Sequence, residues 1–477
     1  MPVKLTTPAS DVDVSDLKFD TMLRNLQANI LKPHGRDYAR HVFLRFTADR
    51  DRVKVWLRSI VPQVTSAHQQ FNVPPKTDGG LVTGLFLSAK GYQHLGFPLN
   101  GFASGAFRKG MKDQSDGILA GVFDRDNKDP SPGSWEPGFR GEIHALVTLA
   151  DDKEAVVKSE AERIRQSVAG VAEVLTIEEG NTLRRENPRV VKEDGTFRRD
   201  PVEHFGYFDG ISQPAFIRRD WEKQDRDEWD PGARLSLVLT DDPLTDEVDA
   251  FGSYLVYRKL GQNIAAFESA VARLAASLGV DPDLAGAMVV GRFKDGTPVL
   301  RSMTPGVGEE NDFAFREDHQ GLRCPFHAHI RKVNPRGTTP ATKVEDERKR
   351  RIARRGIPYG RPLPGVATQP DPDPDPNLPR GLLFMCFQAD VGAQFEFIQR
   401  TWVDNEHFPT GVFTFGILQR DTGDDPLIGQ DRNEAQRWPR KWGDADAGKK
   451  TFNFESAVTL EGGEYFFAPS LSFLRAF

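Results

Sequence analysis

Between Gly252 and Leu278 the chain changes its hydrophobic period. Ser253, Leu255 and Tyr257 alternate with Tyr254, Val256 and Arg258, the pattern of a strand. Ile264, Phe267, Val271, Leu274 and Leu278 then recur at helical spacing, with Asn263 placed as an N-cap and Gly279 as a stop. A strand that feeds directly into an amphipathic helix has to lay that helix on a sheet, which restricts the fold to an α+β arrangement. The same succession comes earlier in the chain. Residues 39–47 read as a strand and 50–60 as a short amphipathic helix; 81–88 and 142–149 read as strands, 151–167 as a helix and 172–177 as a fourth strand. Further strands are predicted at 325–333, 382–389 and 464–468. At 477 residues the chain is too long for one small core. The expectation is therefore two α+β units in tandem, although no direct sequence repeat relates them.

Between these elements lie stretches suited to loops. Asp371-Pro-Asp-Pro-Asp-Pro376 cannot be helical and favours an extended, solvated conformation. Residues 105–140 and 420–450, rich in Gly, Asp and Pro, read as long surface loops. Hydrophobic residues at 38% and charged residues at 28% suit a soluble globular protein. The net charge of −6 provides no global basic field for nucleic acid, and Arg348-Lys-Arg-Arg351 follows acids closely enough to be a solvated face. No run approaches 18 uninterrupted apolar residues, so no membrane span is expected. Cys324 and Cys386 are the only cysteines, which gives no disulfide framework and suits a reducing compartment. With no apolar core in the N-terminal stretch, a cytoplasmic protein is expected.

Three elements carry chemistry. In Gly206-Tyr-Phe-Asp-Gly210, followed by Ile211-Ser-Gln-Pro214, one carboxylate stands between two glycines and two aromatics. Tyr207 and Phe208 would enclose Asp209 in apolar bulk and prepare it to exchange protons; the alternative is an ordinary Asp-Gly turn. In Cys324-Pro-Phe-His-Ala-His-Ile-Arg-Lys332, an extended backbone would place His327, His329 and Arg331 on one face. Two such histidines could chelate a first-row metal, one could be the axial ligand of a haem, or both could be hydrogen-bonded structural groups. In Ile352-Ala-Arg-Arg-Gly-Ile-Pro-Tyr-Gly360, an arginine beside a Gly/Pro turn can present its guanidinium rigidly to developing negative charge.

In this order the three elements resemble the dye-decolorizing peroxidases, a family of haem enzymes. Gly291-Arg-Phe-Lys294, Asn334-Pro-Arg336, Gly381-Leu-Leu-Phe-Met-Cys-Phe-Gln388, Asp425-Pro-Leu-Ile-Gly-Gln430, Gly462-Gly-Glu-Tyr-Phe-Phe-Ala-Pro469 and Leu26-Gln-Ala-Asn-Ile-Leu-Lys-Pro-His34 extend the match over nearly the whole chain. Its length and Cys-Pro-Phe-His-Ala-His form are similar to the larger bacterial branch. The resemblance implies two ferredoxin-like domains, residues 1–215 carrying the distal aspartate and 216–477 holding most of one haem b per chain.

By the same resemblance, His329 is the axial ligand of the haem iron and His327 is secondary. Asp425 is the preferred carboxylate behind His329, with Asp390 as the runner-up. Asp209 is the distal proton shuttle and Arg354 its charge-stabilising partner. Leu382 and Phe384 line the cofactor pocket, and Trp402 is an electron relay to bulky reductants. The implied activity is hydrogen-peroxide-dependent, one-electron oxidation of dyes, phenols and similar aromatic reductants through an oxoferryl intermediate, with turnover favoured by acid. Neither nucleic acid nor a membrane is an expected partner, a homo-oligomer is compatible with the sequence, and the run ending at Phe477 shows no tail for loading into a shell compartment. Two other readings are a haem-binding or carrier protein with incidental peroxidase activity, and a non-haem metal enzyme using His327 and His329.

Overall fold

The computed structural model describes residues 2–73, 79–113, 129–338, 343–368, 378–409, 413–414, 417–418, 422–430 and 435–477. The first half supplies four strands: β1 (Tyr38–Phe46), β2 (Val82–Ser88), β3 (Ala145–Asp151) and β4 (Ala172–Asn181). Helices Arg50–Ile60 and Glu154–Ser167 follow β1 and β3, and all pairings are antiparallel in the order β2-β3-β1-β4. A hairpin of β5 (Leu183–Val191) and β6 (Phe197–Val202) stands apart from this sheet. The short β7 (Thr240–Asp241) precedes β8 (Phe251–Gln262), which leads into the helix Ile264–Leu278. That helix begins on the Asn263 side chain, which accepts from the Ala266 amide, and stops at Gly279 with φ +71°. β9 (Ala353–Arg354), β10 (Ile357–Tyr359) and β11 (Gly381–Gln388) come next. Two minor pairs, β12 (Phe413–Thr414) with β13 (Ile417–Leu418) and β14 (Gln436–Pro439) with β15 (Lys449–Phe452), precede β16 (Val458–Ala468).

The second sheet runs β16-β8-β11-β10. Taken in each half's own chain order, both sheets place the fourth strand beside the first and the third between the first and second, the ferredoxin-like arrangement. The sheets also join each other. β2 pairs with β16 at Ser88–Phe466 and Leu87–Phe467, and β4 pairs with β10 at Gly180–Tyr359. The ladder thus closes on itself, which removes the exposed edges that two separate sheets would have. Phe43 of β1 packs edge-on against Tyr257 of β8 at 4.8 Å and lies 6.2 Å from Phe466 of β16, so one aromatic core fills the space between the sheets.

Alternation fixes what the other face of the second sheet does. Tyr257 points into the shared core, so Arg258 and Leu260, with Gln262 farther along β8, face away from it. Leu382 and Phe384 of β11 face the same side. That outer face is the floor of a cavity.

The segment 325–333 is not a strand. Ala328 N–H bonds back to Pro325, and a short helix, His329–Val333, follows. The cause is a side-chain staple: the Asp318 carboxylate accepts the amides of Leu322, Arg323 and Cys324 and is closed by Arg331 at 2.9 Å. A carboxylate that gathers three successive amides curls the backbone, which the polar–apolar alternation of these residues could not reveal. The described parts of 105–140 and 420–450 likewise hold short helices and the β14–β15 pair rather than loop alone. The Asp-Pro repeat at 371–376 lies outside the described residues.

Candidate active site

The cavity on the outer face of the second sheet measures about 280 Å³ and is lined by Asp209, His329, Arg354, Leu382 and Phe384, among others. Five residues far apart in sequence, all singled out there, therefore meet at one place. Asp425 stands directly behind one of them. His329 Nδ1–H donates to Asp425 Oδ2 at 2.8 Å, while Asp425 Oδ1 accepts the amides of Leu427 and Ile428 at 2.8 and 3.2 Å. The carboxylate side chain is 0% exposed, so its acceptor geometry is fixed by backbone and its charge is little screened. This fixes the tautomer of His329 and leaves Nε2 for the cavity that the ring lines. Asp390, the other candidate for this position, instead accepts the Ala393 amide at 2.7 Å.

His327 does not join His329. Its Nδ1–H donates to the Thr422 carbonyl at 3.0 Å and its ring meets Trp438 edge-on at 4.2 Å. Burial drives its pKa well below the ordinary histidine value. With the strand gone, the common face that would have made the two histidines a chelating pair is gone as well. Among the described residues, no group of three or more His, Cys, Asp or Glu side chains is placed to hold a metal ion.

Asp209 is carried on a turn. Gly206 and Gly210 have φ of +88° and +82°, where glycine is the residue of least cost. The Asp209 N–H bonds to Pro201 O, and its Oδ1 accepts the Gly210 amide at 2.6 Å. The expected apolar enclosure is partial. Tyr207 and Phe208 line the same cavity as Asp209, but Tyr207 also packs against Phe267, Phe208 lies under the Arg185 guanidinium, and the Asp209 side chain keeps 28% of its exposure. Arg354, on β9, reaches Asp209 Oδ1 with Nη1 at 3.5 Å and the Ile211 carbonyl with Nη2 at 2.8 Å. The turn reading and the catalytic reading of this run are thus the same structure.

Two features of the wall were not assigned from sequence. Arg258, Arg292, Arg336 and Arg351 line the cavity together with Arg354. Arg258 is held bidentate by Asp129, whereas Arg292 and Arg336 spend their donors on carbonyls and on the Asn311 side chain. Arg336 closes the Asn334-Pro-Arg336 run. Glu203 and Gln262 are the other unassigned pair.

The donor set fits a haem. A single imidazole with Nδ1 committed to a buried carboxylate is the chemistry of an axial ligand. A cavity with apolar walls and five arginines, one of them in a close carboxylate pair among the described residues, suits a flat apolar group with acidic substituents. Trp402 is outside the lining. It is 5% exposed, stacks on Phe408 at 5.4 Å, and packs in a small cluster with Val333, Ile352 and Ile428, which do line the cavity. It is therefore not itself a surface contact for a dye.

The C-terminal model of Dyp-type peroxidases matches residues 231–408. The chain is 37% identical to the multifunctional dye peroxidase DyP2 of Amycolatopsis sp., with 100% of both chains covered. Among solved structures, a DyP-type peroxidase of Anabaena sp. superposes with a TM-score of 0.85 at 38% identity, covering 99% of this chain and 98% of that one. A dye-decolorizing peroxidase in complex with 2,6-dimethoxyphenol superposes with a TM-score of 0.71 at 25% identity, covering 95% and 98%. No helix among the described residues is long and apolar enough to cross a membrane.

Proposed function

The chain belongs to the dye-decolorizing peroxidase family, and on that premise we propose how its own residues divide the work and which ligands it takes. The protein is a peroxidase that uses hydrogen peroxide to oxidise aromatic reductants, phenols and dyes included, in one-electron steps. His329 would hold a b-type haem, one per chain, from the side of Asp425; Leu382 and Phe384 would flank it, and the arginines of the wall would meet its acidic groups. The bound haem supplies the redox-active iron at which peroxide is reduced. We assign residues 1–215 and 216–477 as its two domains, and the two buried thiols suit a cytoplasmic setting.

Asp209 takes a proton from hydrogen peroxide and returns one to the departing oxygen, so that water leaves rather than hydroxide. Arg354 keeps the carboxylate oriented from 3.5 Å and favours negative charge on the oxygens as their bond breaks. Asp425 holds the His329 proton at Nδ1, which raises the basicity of Nε2. Trp402, one side-chain layer behind the wall, serves as an internal relay for reductants too large to enter. The observation that carries this reading is the single cavity that brings Asp209, Arg354 and the Asp425-backed His329 together. The test is purification with added haem, followed by absorption spectroscopy and peroxide-dependent oxidation of a dye and a phenol. A Soret band and peroxide-dependent turnover are expected; absence of the band after haem supplementation contradicts the reading. A simple haem carrier would need His329 but neither Asp209 nor Arg354.

A further inference from the structure

The turn that presents Asp209 is built around another carboxylate. Between residues 203 and 207 the backbone closes on itself, with Glu203 N–H bonded to Tyr207 O and Gly206 N–H bonded to Glu203 O. Inside this turn the amides of Phe205 and Tyr207 need acceptors, as partly buried backbone donors do. The Glu203 side chain folds back to supply both: Oε2 accepts Phe205 N–H at 2.9 Å and Oε1 accepts Tyr207 N–H at 3.0 Å. Gln262, from the cavity face of β8, donates from Nε2 to Glu203 Oε2 at 2.7 Å. Its own Oε1 is buried without a partner among the described residues, so the amide is committed to this one bond. His204 fastens the same turn to β10 by donating from Nε2 to Tyr359 O at 2.8 Å. The next residues, Phe208 and Asp209, leave the turn bonded to Lys294 O and Pro201 O. Loss of water around the Glu203 carboxyl, with the charge of Asp209 adding to it, raises its pKa above the usual carboxylate range.

We propose that Glu203, fixed by Gln262, is a positioning residue that sets where Asp209 stands in the cavity wall. The inference rests on the reading of Asp209 as the proton shuttle. A neutral glutamine at 203 keeps the volume but offers only one acceptor oxygen, so its NH₂ opposes one of the two backbone donors and the turn must shift. Asp209 is two residues beyond that turn and moves with it. Glu203 does not need to touch peroxide for this to matter.

The test uses haem-loaded Glu203→Gln and Gln262→Leu, with Asp209→Asn as the reference. In Glu203→Gln the second-order rate with hydrogen peroxide should fall about 10²-fold, the cost of about 1 Å of misplacement at a catalytic group. The Soret spectrum and kcat/KM for a small phenol should stay at the parent level. Gln262→Leu keeps every backbone bond of the turn and loses one hydrogen bond to the carboxylate, so it should lose about fivefold in the same rate. A merely structural role would lower haem content, thermal stability and both rate constants together. Peroxide rates within about twofold of the parent in both variants overturn the proposal while Asp209→Asn remains slow. If Asp209→Asn is itself as fast as the parent, it is the reading of the distal wall that fails.

Discussion

The two walls of the cavity are built to opposite specifications. On the His329 side, the ring sits 2.8 Å from a carboxylate that is 0% exposed and held by two amides, and the short helix carrying it is closed by the Asp318–Arg331 pair, 4% and 0% exposed. On the Asp209 side, the carboxylate lies on a glycine turn, 28% exposed, and its arginine stands 3.5 Å away at 36% exposure. A ligand to iron has to keep one tautomer, one orientation and one basicity, and a dry, fixed partner provides all three. A proton shuttle has to change its state in every turnover, and a partner standing 3.5 Å away rather than in a short, buried pair permits that. One wall is made to hold still and the other to exchange.

The comparison can be broken most severely from the rigid side. His329→Ala should abolish stable haem binding, seen as loss of the Soret band on gel filtration, whereas His327→Ala should retain it. The reverse result would give the ligand role to His327. Asp425→Asn leaves the axial ring but weakens its acceptor, so haem affinity or peroxidase activity should fall by about 10- to 100-fold; titration of the apoprotein with haem measures this. Trp402→Phe should slow oxidation of a bulky dye several-fold and leave a small phenol unaffected, as steady-state rates with the two reductants would show.

The smallest effect concerns pH and stability. Burial keeps His34, His41, His144 and His204 neutral, at about 4, 3, 4 and 4, and His327 well below its ordinary value. In the unfolded chain all five titrate near 6.5. Below that pH the unfolded chain therefore binds protons that the folded chain refuses, and stability falls. Asp404 and Glu347, pushed up to about 7 by burial, take up protons in the folded state first and oppose this. The histidines shift furthest, so stability should decline on acidification between roughly pH 6 and 5. Chemical denaturation at several pH values checks the sign. Stability that rises on acidification would contradict the protonation states assigned to the interior.

How much of this was legible in the sequence depended on the kind of signal. The helix at 264–278 could be placed with its cap and stop because both depend on neighbours in the chain. The strands of the two sheets other than β10 could be read because alternation and apolar runs are local. The seams at Ser88–Phe466 and Gly180–Tyr359 could not, since pairing across hundreds of residues leaves no periodic trace. The strand expected at 325–333 failed for a related reason: its backbone follows the carboxylate of Asp318, a side chain outside the window that carried the pattern. Asp209, His329, Arg354 and Asp425 were found because each sits in a recognisable run. Glu203 and Gln262 lie at the edges of such runs, and their contact appears only once β8 is brought beside the turn. The apolar setting expected for Asp209 is only partial, because the adjacent aromatics line its cavity while also packing on other neighbours.

The contrast between a holding wall and an exchanging wall is tested most directly by mixing hydrogen peroxide rapidly with haem-loaded Asp209→Asn and following the Soret band. The account predicts a resting spectrum identical to the parent, because His329 and Asp425 are untouched, and a peroxide reaction slower by about 10²- to 10⁴-fold. A variant that keeps the spectrum and reacts at the parent rate would contradict it.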